Sequence, residues 1–96
     1  MSSRLGSIAE SSGATLPYAT SKAALNMLAK GLAASLVARG VIVVALSPGW
    51  VRTDMGGAGA PLSAQASVAG LRTVIAGLKA ADSGRFLSYD GSSIPW

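Results

Sequence analysis

Val41-Ile42-Val43-Val44-Ala45-Leu46 is an unbroken apolar run, and its first four residues are β-branched. Such runs suit strands buried on both faces, as in parallel sheets covered by helices. Directly upstream, Pro17 to Arg39 carries a helical pattern. Leu25, Leu28, Leu32 and Leu36 recur at spacings of three and four, which predicts a buried stripe on one helix face. Pro17 suits the first helical turn, where its missing N–H costs nothing, and Gly40 suits the position just past the helix end. A helix over about 17–39 therefore feeds a strand over 41–46.

Downstream, Ser47 to about Leu62 is a loop with Pro48, Gly49, Gly56, Gly57, Gly59 and Pro61. Ser63 is a candidate N-cap for a helix over about 63–78. Val68, Leu71, Ile75 and Leu78 are expected to form its buried stripe. Asp82-Ser83-Gly84 breaks that pattern, Arg85 to Tyr89 reads as a short strand, and residues 1–16 read as a polar loop. The order is loop, helix, strand, long loop, helix, strand. That alternation predicts an α/β class with a parallel sheet. Two strands make a poor sheet on their own, so the expectation is one part of a larger doubly wound fold.

Composition narrows the chemistry. The 96 residues allow one small domain, and half of them are apolar. There is no cysteine and no histidine, so disulfides, thiol catalysis, a zinc site and a Ser-His-Asp triad have no donors here. Net charge is +4, but the eight Lys and Arg are spread singly and not interleaved with aromatics, so no nucleic-acid surface is expected. No run is long enough to span a bilayer, and Met1-Ser2-Ser3-Arg4 shows no apolar signal core. No membrane partner and a cytoplasmic location are the expectations.

Tyr18 and Lys22 are four apart at the start of the first helix, a spacing that puts both on one face. An ordinary tyrosine ionises near pH 10, and a neighbouring ammonium favours the phenolate. A tyrosine so placed can give a proton to a carbonyl oxygen or take one from an alcohol.

Tyr18-Ala19-Thr20-Ser21-Lys22-Ala23-Ala24-Leu25 resembles the active-site helix of the short-chain dehydrogenases/reductases. Ser47-Pro48-Gly49-Trp50-Val51-Arg52-Thr53-Asp54-Met55 is similar to that family's Pro-Gly loop, and Ser2-Ser3-Arg4-Leu5-Gly6-Ser7-Ile8 to the segment holding its serine. Three motifs in family order carry more weight than any one alone. Together with Ala24-Leu25-Asn26, Pro48-Gly49-Trp50-Val51 and Thr53-Asp54-Met55-Gly56-Gly57, the stretch from Gly84-Arg85-Phe86 through Tyr89-Asp90-Gly91 to Ile94-Pro95-Trp96 resembles the branch of sniffer-type carbonyl reductases and C-factor-like proteins.

The resemblance implies a Rossmann-like fold and an NAD(P)-dependent oxidoreductase interconverting a small-molecule carbonyl compound and an alcohol. Its catalytic residues would be Ser3, Tyr18 and Lys22, with Ser7 as the alternative to Ser3. Tyr18, Lys22, Pro48, Gly49, Val51 and Thr53 would bind the cofactor, with NADP(H) favoured over NAD(H). A homo-oligomer stays open for a full-length parent.

A dinucleotide fold also needs a Gly-rich turn after its first strand. Gly56-Gly57-Ala58-Gly59 follows the Pro-Gly loop instead and is not read as a phosphate cradle. The chain thus reads as the C-terminal part of a doubly wound parallel-sheet fold, with the N-terminal nucleotide-binding half missing. A catalytically inactive fragment and a non-catalytic binding or signalling member are the rival expectations.

Overall fold

The computed structural model describes all residues, 1–96. A short 3₁₀ turn, Arg4–Gly6, precedes α1, Leu16–Leu36, which tightens into a 3₁₀ turn over Val37–Arg39. Then come β1, Ala45–Ser47, α2, Ala64–Ala76, and β2, Phe86–Ser88. Pro17 lies in the first turn of α1, and Gly40, at φ 69°, ends the tightened turn. Ser63 caps α2, its hydroxyl accepting from the Ala66 N–H at 3.1 Å.

β1 and β2 pair in parallel, with Ala45 opposite Phe86, Leu46 opposite Leu87 and Ser47 opposite Ser88. Side chains alternate across a strand, so these pairs separate onto two faces. Ala45 and Phe86 pack with Ile94, Ala29 of α1 and Trp96 on one face. Leu46 and Leu87 pack with Leu71 and Val74 of α2 on the other. One helix thus covers each face, which is a doubly wound α/β arrangement. On its second edge β1 meets the start of the chain, where the Ser2 N–H donates to the Leu46 carbonyl at 2.7 Å.

The strand is shorter than the apolar run. Only Ala45 and Leu46 of that run join the regular ladder, and Val41 and Ile42 are exposed. Val43 still receives the Gly84 N–H and donates to the Ser83 hydroxyl, but its partner there is a turn rather than a strand. A ladder needs extended chain on both sides of each bond, and β2 starts only at Phe86.

The helix faces also depart from the leucine stripe. Leu28 and Leu32 are exposed, while Asn26 and Ala33 are buried and Ala29 meets the core. In α2, Leu71 is buried, but Val68 and Ile75 point to solvent and Ser67 is buried in their place. Ser67 is satisfied there because its hydroxyl donates to the Pro48 carbonyl at 2.7 Å. Leu25 and Leu36 are half-buried, so the leucine stripe is only partly turned inward. No helix is long and apolar enough to cross a membrane.

Candidate active site

Tyr18 sits in the first turn of α1 and Lys22 one turn later, both half-buried. The Lys22 ammonium lies 5.6 Å from the centroid of the Tyr18 ring, within cation–π range. The two ion pairs of the chain, Arg4–Glu10 and Arg85–Asp82, leave Lys22 without a carboxylate. A half-buried ammonium free of an acidic partner is open to neutral oxygen acceptors.

Ser3 caps the Arg4–Gly6 turn, its hydroxyl accepting from the Leu5 N–H at 3.2 Å. That leaves the hydroxyl proton free to donate. Ser7 is closed off, at 1% exposure. Its hydroxyl accepts from the Glu10 N–H and reaches the Trp96 carbonyl at 3.5 Å. The structure therefore gives Ser7 a backbone-anchoring place and leaves Ser3 half-exposed.

The serine turn and α1 touch at Gly6. A side chain there would lie 2.9 Å from the Lys22 backbone carbon and Cβ, and 3.0 Å from the Asn26 amide nitrogen. Only a glycine allows this approach. Ser47 links the turn to the Pro-Gly loop. Its buried hydroxyl accepts from the Arg4 N–H at 3.0 Å and lies 3.5 Å from the Gly49 nitrogen. Asn26 and Ser47 stand in motifs that carry the family resemblance, but the motifs alone assign neither a role of its own. Asn26 has one legible signal, its place four residues after Lys22 and eight after Tyr18 on one helix row.

The loop after β1 folds back on itself. Val51 and Leu62 form a parallel bridge, and the Arg52 guanidinium donates to the carbonyls of Ala60 and Pro61. The Val51 N–H makes no hydrogen bond to backbone or side chain. The Thr53 hydroxyl is engaged within its own turn, accepting from the Gly56 N–H at 3.0 Å, with the Val51 carbonyl at 3.4 Å. The structure thus pairs Tyr18 with Lys22, packs the turn that Ser3 caps against their helix at Gly6, ties that turn to the Pro-Gly loop through Ser47, and turns Thr53 towards its own loop.

Beside this wall, Arg4 and Glu10 form a two-pronged pair at 2.7 and 2.8 Å. The guanidinium holds the Glu10 carboxyl below its ordinary value, and the carboxylate raises Arg4. An open groove of about 140 Å³ runs there, lined by Leu5, Ser7, Ala14 and Ala19 among others. No group of three acidic, His or Cys side chains is placed to hold a metal.

A helix on each face of a parallel sheet, with proton-carrying side chains gathered at one helix start, defines the class as doubly wound α/β with a candidate acid/base site. The comparisons give the family. Residues 1–61 match the short chain dehydrogenase family, and the chain belongs to it. It is 46% identical over 97 residues to C-signal of Myxococcus xanthus, covering 100% of this chain and 58% of that protein. Among solved structures it resembles the carbonyl reductase Sniffer of D. melanogaster. There the TM-score is 0.96 and identity 41%, over 100% of this chain and 39% of that one. An NADPH-bound carbonyl reductase from chicken fatty liver gives 0.91 and 40%, over 99% and 40%. The chain thus spans about two fifths to three fifths of the proteins it matches.

Proposed function

We propose that this chain forms the catalytic wall of an NADP(H)-dependent oxidoreductase that interconverts a small-molecule carbonyl compound and its alcohol. The observation that carries the proposal is the unpaired Lys22 ammonium over the Tyr18 ring, on a helix packed against the Ser3 turn. Likeness to an NADPH-bound carbonyl reductase supports NADP(H) over NAD(H).

The residues fit such a cofactor. Lys22 has donors to spare for ribose hydroxyls, and the unbonded Val51 N–H offers a donor to a carboxamide. Pro48 and Gly49 shape the corner between them, and Thr53, whose hydroxyl is held by the Gly56 N–H, would have to turn out of its own loop to join them. When bound, the nicotinamide supplies or accepts the hydride. The chain does the rest. Ser3 donates a hydrogen bond to the substrate oxygen and fixes its position. Tyr18 gives its proton to that oxygen as negative charge develops there, and takes it back in the reverse direction. Lys22, its ammonium 5.6 Å from the centre of the Tyr18 ring, attracts the negative charge that Tyr18 acquires in the step.

Lys22→Met tests the double role in the complete protein carrying this chain. Hydrogen bonds from a charged donor are worth roughly 1.5–3 kcal/mol, so NADPH affinity by calorimetry should fall about 10- to 100-fold. Turnover should fall as well. Unchanged affinity would remove Lys22 from the cofactor site.

The 46% sequence identity to C-signal supports a second reading, a binding or signalling member that does not depend on turnover. In that case the Lys22 variant would lose catalysis and keep its biological effect.

A further inference from the structure

We infer that Asn26 is a positioning residue, whose buried amide fixes the Ser3 hydroxyl against the helix that carries Tyr18 and Lys22. The inference rests on the role proposed above for Ser3.

Asn26 lies mid-helix in α1 and is 3% exposed. Asparagine is an indifferent helix former, and a buried amide is costly unless its hydrogen bonds are made. Both ends of this one are used. The Ser2 hydroxyl donates to Oδ1 at 2.6 Å, and Nδ2 donates to the Gly6 carbonyl at 3.2 Å. These partners bracket Ser3, one residue before it and three after. On its other side the same segment is tied to β1, through the Ser2 N–H to Leu46 and the Arg4 N–H to Ser47.

Ser3 caps its own turn, so its hydroxyl travels with the turn. α1 carries Tyr18, Lys22 and Asn26 at successive steps of four on one row. One amide therefore joins the serine segment to the helix of the Tyr-Lys pair, and Gly6 permits the close contact beside it. Asn26 reaches none of the reacting groups itself. It acts through Ser3, by holding the distance between two groups that must meet one substrate oxygen. Misplacement by about 1 Å can cost on the order of 10²-fold in rate.

The test compares Asn26→Ala, Ser3→Ala and the double variant in the complete protein, with Ser2→Ala as a milder change that removes only one hydroxyl. Asn26→Ala should lower kcat roughly 10- to 100-fold while NADPH affinity by calorimetry stays within about twofold, well short of the tenfold that about 1.4 kcal/mol would bring. In the Ser3→Ala background it should cost almost nothing further. Without any cofactor, amide hydrogen exchange should quicken over Ser2–Ser7 and stay unchanged over β2. Ser2→Ala should move both readouts the same way by less, and it decides the matter if Asn26→Ala does not fold.

An additive loss in the Ser3→Ala background, or exchange that rises throughout the core, would show a general packing role and overturn the inference. Wild-type kcat in Asn26→Ala and Ser2→Ala would also overturn it. Retained turnover in Ser3→Ala would remove Ser3 from the site, and this inference with it. The proposed function as a whole fails only if Tyr18 proves dispensable too.

Discussion

Three glycine-to-alanine changes should move stability in graded and opposite directions. Gly49 has φ 80°, and a Cβ there would sit 2.6 Å from Leu62 Cδ1 and 2.9 Å from the Tyr89 ring. Gly57 has the same φ but nothing within 4 Å of such a Cβ. Gly31 is in α1, with ordinary helical geometry and open space around it. A left-handed alanine costs about 1–2 kcal/mol. Overpacking costs about 1–3 kcal/mol. Leu62 can swing aside because only a terminal methyl is involved, whereas the Tyr89 ring has fewer ways to yield. Gly57→Ala should therefore destabilise by about 1–2 kcal/mol and Gly49→Ala by about 2–4 kcal/mol. Gly31→Ala should stabilise by up to about 1 kcal/mol, the helix-propensity difference. Urea midpoints of the complete protein, at constant m, measure all three. Equal losses at Gly49 and Gly57 would show that the corner of the Pro-Gly loop is not packed as described. A loss at Gly31 would refute the open space beside α1.

Trp96→Ala should lower stability by about 2–3 kcal/mol, less than for a fully buried aromatic. The Trp96 ring stacks on Phe86 at 5.5 Å and carries the Lys30 ammonium at 5.0 Å; an unchanged urea midpoint would refute that contact. Glu10 is held below its ordinary value by Arg4, and Asp82 by the Lys79 N–H and then Arg85. The folded carboxyls are the stronger acids, so their contribution is present above the ordinary values of 4.5 and 3.8 and fades as pH falls through the lower folded values. Asp82→Asn should flatten that acid-side decline in a pH series of urea melts. The isolated 96-residue chain exposes Leu28, Leu32, Val68 and Ile75 and should self-associate in light scattering. It should also give no micromolar NADPH isotherm, and a clean one-site isotherm would contradict the view that nucleotide binding needs more chain.

The doubly wound class was legible because helix and strand alternate and because Val41–Leu46 is too apolar for a half-exposed strand. The faces were not. α1 is rich in Ala and Leu on every side, so a spacing of three and four fits more than one phase. In this chain Ala29 packs on the sheet and Ala33 is buried, while Leu28 and Leu32 stay exposed. β1 starts later than the apolar run for a related reason. β-branched residues mark extended chain, but only a paired neighbour makes a ladder, and the turn before Phe86 offers none. The nearness of Tyr18 and Lys22 was legible from their spacing, but a catalytic reading of the pair takes its weight from three motifs in family order. The linking roles of Asn26 and Ser47 were not legible, because spacing places Asn26 on the row of Tyr18 and Lys22 but does not show which segment, 20 or more residues away, a polar side chain joins.

Tyr18→Phe in the complete protein tests the central claim most directly, since it removes one phenolic oxygen and keeps the ring beside Lys22. NADPH oxidation is followed against a panel of small carbonyl compounds, with cofactor affinity measured separately. Turnover should fall by roughly 10²–10⁴-fold, the contribution of a positioned acid/base, with affinity nearly intact. Turnover near wild type on every carbonyl the protein reduces would contradict the account, and would leave α1 as a structural helix without a catalytic role.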